Sequence, residues 1–473
     1  MRERRAESRP GEGFGIGGMV PEVAVSLRLL LGAGVLALAA LVGSGRGPVR
    51  GIDLPLAAAG GFVVLLCLNS PGFGLALLPL VSAAVPVSIG TGTQSQVVAG
   101  LLFALLLLAM WAVRAAVSGE LTLVSSPVNL PILALMLAWT LAYVYSNAVR
   151  PPIIRLWPSF PMAQVGGLGV TLVSAGILLM AMNVGLELRW IRTATWSLIG
   201  IGVLGVVPVY LRAEHLIQFL STGGLFTMWV VALAYGQALF NRELPKWGRV
   251  ALLALVGAWL YKAAVMQTLW ASGWVPTLAA VVTITFFRSK PAFLALMLGG
   301  SIVAASRFDV MYGAIWTPQV NEGDMSRLDI WEQAWQLLMR FPALGTGPAG
   351  YAVYYMSLYA DSAFSMSSHS NYVDVLLQTG FIGGVAFLWT LLALLVVGWR
   401  AIRCAPSGFA EGYAHGAFGG LVGVLVAMAL GDWFIPFVYN VGIGGFRYTI
   451  HSWVFLGLLA SLAVPRPEVR RAP

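Results

Sequence analysis

The chain has 473 residues, 59% of them hydrophobic and 10% charged, with a formal net charge of +9 and a mean hydropathy of +0.83. A water-soluble protein of this length needs far more charged surface, so a soluble enzyme is excluded. Windows 97–113, 162–185 and 375–399 carry no charge over lengths that span or nearly span a bilayer core; a β-barrel is excluded too, because its strands are short and alternate polar with apolar residues.

The pattern predicts an all-α, polytopic transmembrane helical bundle of about 12–14 spans with one large extracytoplasmic loop containing amphipathic helices. In chain order, residues 1–24 form a cytoplasmic N-terminal tail that opens "MRERRAESRP". The apolar run after it imitates a signal peptide, but the long tail before it and the many spans after it read as a retained signal anchor. Residues 25–306 form the first part of the bundle. Its cores fall at 25–43, 52–68, 73–89, 96–113, 128–146, 163–184, 190–210, 221–239, 250–266, 274–287 and 291–306. Residues 307–368 form the large periplasmic or extracytoplasmic loop. Residues 369–464 form the last part of the bundle, with cores at 370–399, 411–430 and 446–464, and 465–473 are a second cytoplasmic tail.

Alternation from the basic tail places 17 of the 28 Lys and Arg residues inside and 10 outside, with Arg28 in the first span. The net charge is therefore a topology signal, and a nucleic-acid partner is not needed to explain it. The reading is a multi-pass protein of the cell inner (cytoplasmic) membrane. Cys67 and Cys404 fit no metal or redox spacing.

Among the outside connections, "NAVRPPIIRLWPSFP" carries Arg150 and Arg155, and "LRAEHLIQ" carries Arg212, Glu214 and His215. Within the large loop, "SRLDIWEQAWQLLMRFP" reads as a helix. Ser326 and Asp329 make a capping-box pattern, Ile330, Ala334, Leu337 and Leu338 recur at helical spacing, and Pro342 stops the run. The apolar stripe with Trp331 and Trp335 suits a helix at headgroup level. "GTGPAGY" follows as a turn-rich link. The glycines of "GFIGG" and "VGIGG" are expected to allow close helix contacts.

Four residues carry candidate chemistry. His369 precedes a helix, with Ser367 and Ser368 as possible caps; it is either an interfacial hydrogen-bonding residue or a neutral ring able to accept a proton near pH 7. Arg327, at the first turn of the loop helix, either pairs with Asp324 or Asp329 or holds an anion in a bidentate grip. Arg212 has the same choice, with Glu214 as its surface partner. Asp374, about a turn beyond His369, needs a partner at that depth, either a polar group of a site or a neighbouring helix. No outside loop carries a D-x-D pair or a His/Cys cluster, so the chemistry is expected to need no metal and no cofactor, with arginine supplying the electrostatics.

"HSNYVDVLLQTGFIGG" and "RLDIWEQAWQLLMRFPALGTGPAGY" together resemble the paired motifs of the O-antigen ligase and O-antigen polymerase superfamily. In both, the arginine helix and G-x-G turn precede the histidine and its G-x-x-G helix, within and at the end of one long outer loop. The family often has His-Asn where this chain has His369-Ser370, with asparagine one place later at Asn371. Its usual acid two residues before the first glycine is Gln378 here. The resemblance implies an inverting glycosyltransferase working at the outer, periplasmic or extracellular, face. It would take a polyprenyl-diphosphate-linked glycan donor and a glycan, lipid or protein acceptor, amid membrane lipids. It implies His369 as general base, Arg327 as catalytic and diphosphate-binding residue, and Arg212 as a second diphosphate ligand. Asp374, Asn371 and His215 are subsidiary candidates. A transporter or flippase of lipid-linked sugars is the alternative; it would show midplane charges and repeated architecture, whereas here polar residues gather at one face.

Overall fold

The computed structural model describes residues 67, 70–91, 95–118, 123–184, 187–267, 270–315, 327–359 and 367–464; the side chains of 118, 311, 313–315 and 327–329 are not among those described. The two tails, nearly all of the predicted cores 25–43 and 52–68, and the Ser326 half of the capping box lie outside these residues. Chain contacts define a smaller unit, Met1–Gly74 with Ala109–Thr122, and a larger one, Leu75–Leu108 with Leu123–Pro473. The described part of the smaller unit is helical apart from Ser70. The larger unit holds every candidate residue.

Sixteen α-helices and one β-hairpin occur among the described residues. The first half contains α1 (Pro71–Ala84), the hairpin β1 (Ser88–Gly90) and β2 (Gln96–Val98), α2 (Ala99–Ser118), α3 (Asn129–Ala148), α4 (Phe160–Val184) and α5 (Leu188–Tyr210). Then come α6 (Phe226–Phe240), α7 (Lys246–Tyr261), α8 (Ala271–Arg288) and α9 (Lys290–Ser306). The long connection holds α10 (Phe308–Ile315), α11 (Arg327–Arg340) and α12 (Gly350–Tyr359). The chain closes with α13 (Asn371–Cys404), α14 (Phe409–Leu430), the short α15 (Val438–Val441) and α16 (Phe446–Leu462). Among the described residues eight helices are long and apolar enough to cross a membrane, in α2–α5, α7 with its π-helical extension, α8, α13 and α14; α1, α6 and α9 are shorter apolar helices. The protein is a multi-pass helical membrane protein.

One predicted core needs correction. The stretch 73–89 is not a single span: α1 ends at Ala84, and residues 88–90 pair antiparallel with 96–98, Ser88 opposite Val98. Pro86 cannot continue the helix, and the Thr91 amide donates to the Ser95 carbonyl to close the hairpin.

Helices α4 and α14 are the most enclosed of the long spans, each with 72% of its apolar window buried. Close approach explains part of this. A Cβ at Gly236 of α6 would run into the backbone of Gly412 and Gly416 on α14, so glycine on both sides brings the two axes together, as membrane helices favour.

The loop helix α11 keeps its predicted stripe but uses it differently. Ala334, Leu337 and Leu338 are buried in a cluster with Tyr351, Tyr354 and Tyr355 of α12 and Leu377 of α13. The stripe is thus mostly a packing face, and Trp335, 56% exposed, is the large apolar side chain it leaves outward. Hydrophobic burial inside the protein outcompetes burial in lipid because α12 offers a complementary aromatic face.

The decisive contact lies beneath that cluster. Helix α13 breaks at Gly380 (φ 64°, ψ −166°), so the usual i→i+4 partners are lost on both sides of the break. The turn after α11 replaces them. The amides of Phe381 and Ile382 donate to the carbonyls of Pro342 and Ala343, at 2.7 and 3.2 Å. The carbonyls of Leu377 and Gln378 in turn accept from the amides of Thr346 and Gly347, at 2.9 and 3.0 Å. Gly345 (φ 64°) and Gly380 adopt left-handed backbone, and a Cβ on either would strike the other strand of this contact. The first glycine of "GFIGG" therefore serves a backbone break, not the helix–helix contact expected of it.

Gly380→Ala is expected to cost about 1–3 kcal/mol, from left-handed strain and the clash with Ala343. It should lower the thermal unfolding midpoint of the detergent-solubilised protein by several degrees. Gly169→Ala, where an added methyl meets nothing within 4 Å, should leave the midpoint unchanged or raise it.

Candidate functional site

His369 sits in a sharp turn just ahead of α13, half-buried, with φ 49°. A non-glycine residue in this region costs about 1–2 kcal/mol, and it persists because its neighbours are pinned on both sides. Before it, the Ser368 carbonyl accepts from Trp331 Nε1 of α11 at 2.9 Å, and the Ser368 amide donates to the Tyr351 hydroxyl at 3.1 Å. After it, the Ser370 amide donates to Ser368 Oγ at 3.2 Å. The N-cap of α13 is Ser370, which makes no side-chain cap bond, so Ser367 and Ser368 do not cap the helix as expected. Ser367 Oγ instead accepts from the His369 amide, and Ser368 Oγ stands 2.5 Å from Asp374 Oδ1.

Asp374 supplies the centre of this arrangement. It is 1% exposed, and its Oδ1 accepts from Tyr351 Oη at 2.7 Å as well as from Ser368. Its Oδ2 is buried without a protein hydrogen-bond partner. The partner that an acid at this depth requires is therefore a tyrosine carried by the loop helix α12. Burial, then the adjacent Asp374, push the Tyr351 phenol well above its usual range, so the phenol stays a donor. Its ring stacks on Phe437, centroids 4.3 Å apart.

Asn371, fully buried, ties the turn to the connection between α14 and α15. Its Oδ1 accepts from the amides of Phe434 and Ile435 at 2.8 and 3.3 Å, and its Nδ2 donates to the Ile435 carbonyl at 2.6 Å. The same connection carries Asp432, 2% exposed. Its carboxylate accepts from the Phe437 amide and from Asn440 Nδ2, both at 2.9 Å. Burial raises the Asp432 pKa above the ordinary carboxylate range; those two donors and the charge of His369, within electrostatic reach, oppose the rise. Asp432, on a different element, thus lies within electrostatic reach of the histidine.

Gln378 stands where an acid was expected. Its Oε1 accepts from the amide of Ala349 (φ 55°) at 2.7 Å, as a carboxylate would, and its Nε2 donates to the Asp374 carbonyl at 3.1 Å.

The other predicted residues fall apart from this cluster or beyond description. Arg327 opens α11, but its guanidinium is not among the described side chains, and Asp324 lies outside the described residues. Arg212 is exposed just past α5, with φ 55°. Glu214 and His215 lie in a 3-10 turn, Glu214–Ile217, and are also exposed. Of the two alternatives for Arg212, the ion pair with Glu214 is not formed: the two ion pairs among the described residues are Arg189–Glu187 and Arg192–Glu243. Glu214 acts on Lys262 instead.

Three residues escaped the sequence reading. Asp432 had a readable signal, an acid at the edge of an apolar span in "GDWFIPF", the same signal that marked Asp374. Tyr351 carried none beyond its place after "GTGPAG". Arg447, at the start of α16, hydrogen-bonds the Gly444 carbonyl and Ser221 Oγ. It adds a half-buried cation that joins α16 to the segment before α6. Among the described residues no three His, Cys, Asp or Glu side chains gather as a metal site.

Asn371→Asp keeps the acceptor for Phe434 but removes the donor to Ile435 and adds buried charge near Asp374. A loss of about 1–3 kcal/mol is expected, read as a lower unfolding midpoint than that of Asn440→Asp.

With this geometry in view, residues 220–388 match the family model for O-antigen ligase. The match takes in the loop helices, the turn and the first part of α13 through the break, and leaves Arg212, Asp432 and Arg447 outside it. No curated protein matches the chain.

Proposed function

We propose that this chain, which belongs to the O-antigen ligase/polymerase superfamily through residues 220–388, moves a glycan from a polyprenyl-diphosphate donor to an acceptor hydroxyl. The transfer takes place at the outer face of the cytoplasmic membrane, and the acceptor is a lipid, a protein or a growing glycan. The observation that carries this reading is the turn at His369. An imidazole is held in strained backbone between two independently anchored neighbours at the end of an apolar helix, with a buried carboxylate within electrostatic reach.

In this reading His369 takes the proton from the acceptor hydroxyl as its oxygen attacks the anomeric carbon. The bond from that carbon to the diphosphate breaks, the diphosphate keeps the electron pair, and the configuration inverts. Asp432 stabilises the imidazolium that forms and keeps the ring oriented, the role a carboxylate has beside a catalytic histidine generally. Asp374 and Asn371 act through the backbone of the turn. Arg327 and Arg212 hold the diphosphate, whose growing charge is best stabilised by fixed cations in a poorly hydrated site. His215, exposed on its short turn, is assigned no step. No metal is assigned a step.

The test uses purified full-length protein with a polyprenyl-diphosphate glycan and candidate acceptors. His369→Ala should lose about two to four orders of magnitude in transfer; undiminished turnover would remove the base assignment. Arg327→Ala should lose transfer through weaker donor binding. Vesicle flipping of the donor without bond transfer would move the protein to the transporter class.

A pH profile adds an independent check. A base must be unprotonated to act, so transfer should fall toward acid pH. Removing the nearby carboxylate makes imidazolium less favourable, so Asp432→Asn should slow transfer and move this acid limb to lower pH.

A further inference from the structure

The 34 residues of α13 begin beside His369 and end at Cys404; at about 1.5 Å per residue its far end belongs to the opposite membrane face. A groove of about 600 Å³ opens at that end, between α13 and α14. Its walls are Leu395, Val396, Trp399 and Phe418, and Arg400 and Arg403 line its rim. Phe287 of α8 packs edge-on against Phe418, centroids 5.7 Å apart, and fixes the back of the groove. Both arginines are exposed, one helical turn apart, with no carboxylate lining the groove. Neither takes part in the two ion pairs found among the described residues.

Three observations converge on one occupant. The apolar walls suit a hydrocarbon chain. A tryptophan at the end of a long apolar helix marks headgroup depth. Two guanidinium groups with no ion pair among the described residues supply paired donors for phosphate oxygens and a net positive field. We infer that this groove is a binding site for an anionic phospholipid, with an acyl chain along Leu395, Val396 and Phe418 and the phosphodiester between Arg400 and Arg403. It is separate from the transfer site and does not depend on the reaction assigned there.

The experiment is native mass spectrometry of the full chain released from detergent after equilibration with phosphatidylglycerol or phosphatidylcholine of identical acyl chains. Phosphatidylglycerol adducts should be retained about tenfold more than phosphatidylcholine. The double variant Arg400→Gln/Arg403→Gln should abolish that preference and Arg400→Lys/Arg403→Lys should largely keep it. Val396→Trp, which fills the groove and leaves both cations in place, should also abolish it. Equal retention of the two lipids, or an undiminished preference in the glutamine and tryptophan variants, would overturn the site. Displacement of the lipid by inorganic phosphate at equal concentration would overturn the lipid assignment in favour of a simple anion site.

Discussion

Four backbone hydrogen bonds at the break in α13 hold the functional end of this protein together. A helix interrupted inside a membrane protein leaves amides and carbonyls that lipid cannot satisfy, each costing several kcal/mol if unpaired. Here the orphaned groups of α13 exchange bonds with the turn 342–347 of the long connection. The loop is thereby spliced into the spanning helix, not laid over it. Everything above depends on that splice. It sets where α12 begins, α12 carries Tyr351, and Tyr351 fixes both Asp374 and Ser368.

The electrostatics follow from the same placement. Two carboxylates, Asp374 and Asp432, are buried close enough to influence one another, on elements far apart in sequence. Each is held by hydrogen-bond donors: Asp374 by hydroxyls, Asp432 by an amide N–H and a side-chain amide, with the charge of His369 in addition. Ion pairs among the described residues lie instead near Glu187 and Glu243, which sequence places on the inner side. Among the described side chains, no arginine predicted for the outer side takes part in an ion pair.

Much of this was legible in residue patterns because the bilayer imposes a simple rule on composition. Apolar windows of sufficient length located α2–α9, α13, α14 and α16, but not α10, α12 or α15, and proline and glycine marked several of the stops. The first motif pair also showed itself, since His369 and Asp374 are polar residues where apolar ones are expected. Tertiary exchange was not legible. Nothing local in "GTGPAG" says that its amides will serve carbonyls thirty residues later, and nothing in α11 says that its stripe will meet tyrosines instead of lipid. Asp432 was overlooked although its place at the edge of an apolar span marked it as Asp374 was marked; only its proximity to the histidine of another connection needed three dimensions. The region 73–89 failed for the opposite reason: mean hydropathy was read across Pro86, where the backbone had already turned into a hairpin.

The break at Gly380 also divides α13 mechanically. Phe381–Cys404 alone is about 36 Å of helix, enough to cross a hydrocarbon layer of about 30 Å. The residues ahead of the break are clamped to α11, α12 and the connection after α14. Both parts are bonded to the turn 342–347, the long part through the amides of Phe381 and Ile382, so a span that tilts to match bilayer thickness turns against the loop assembly that holds the imidazole.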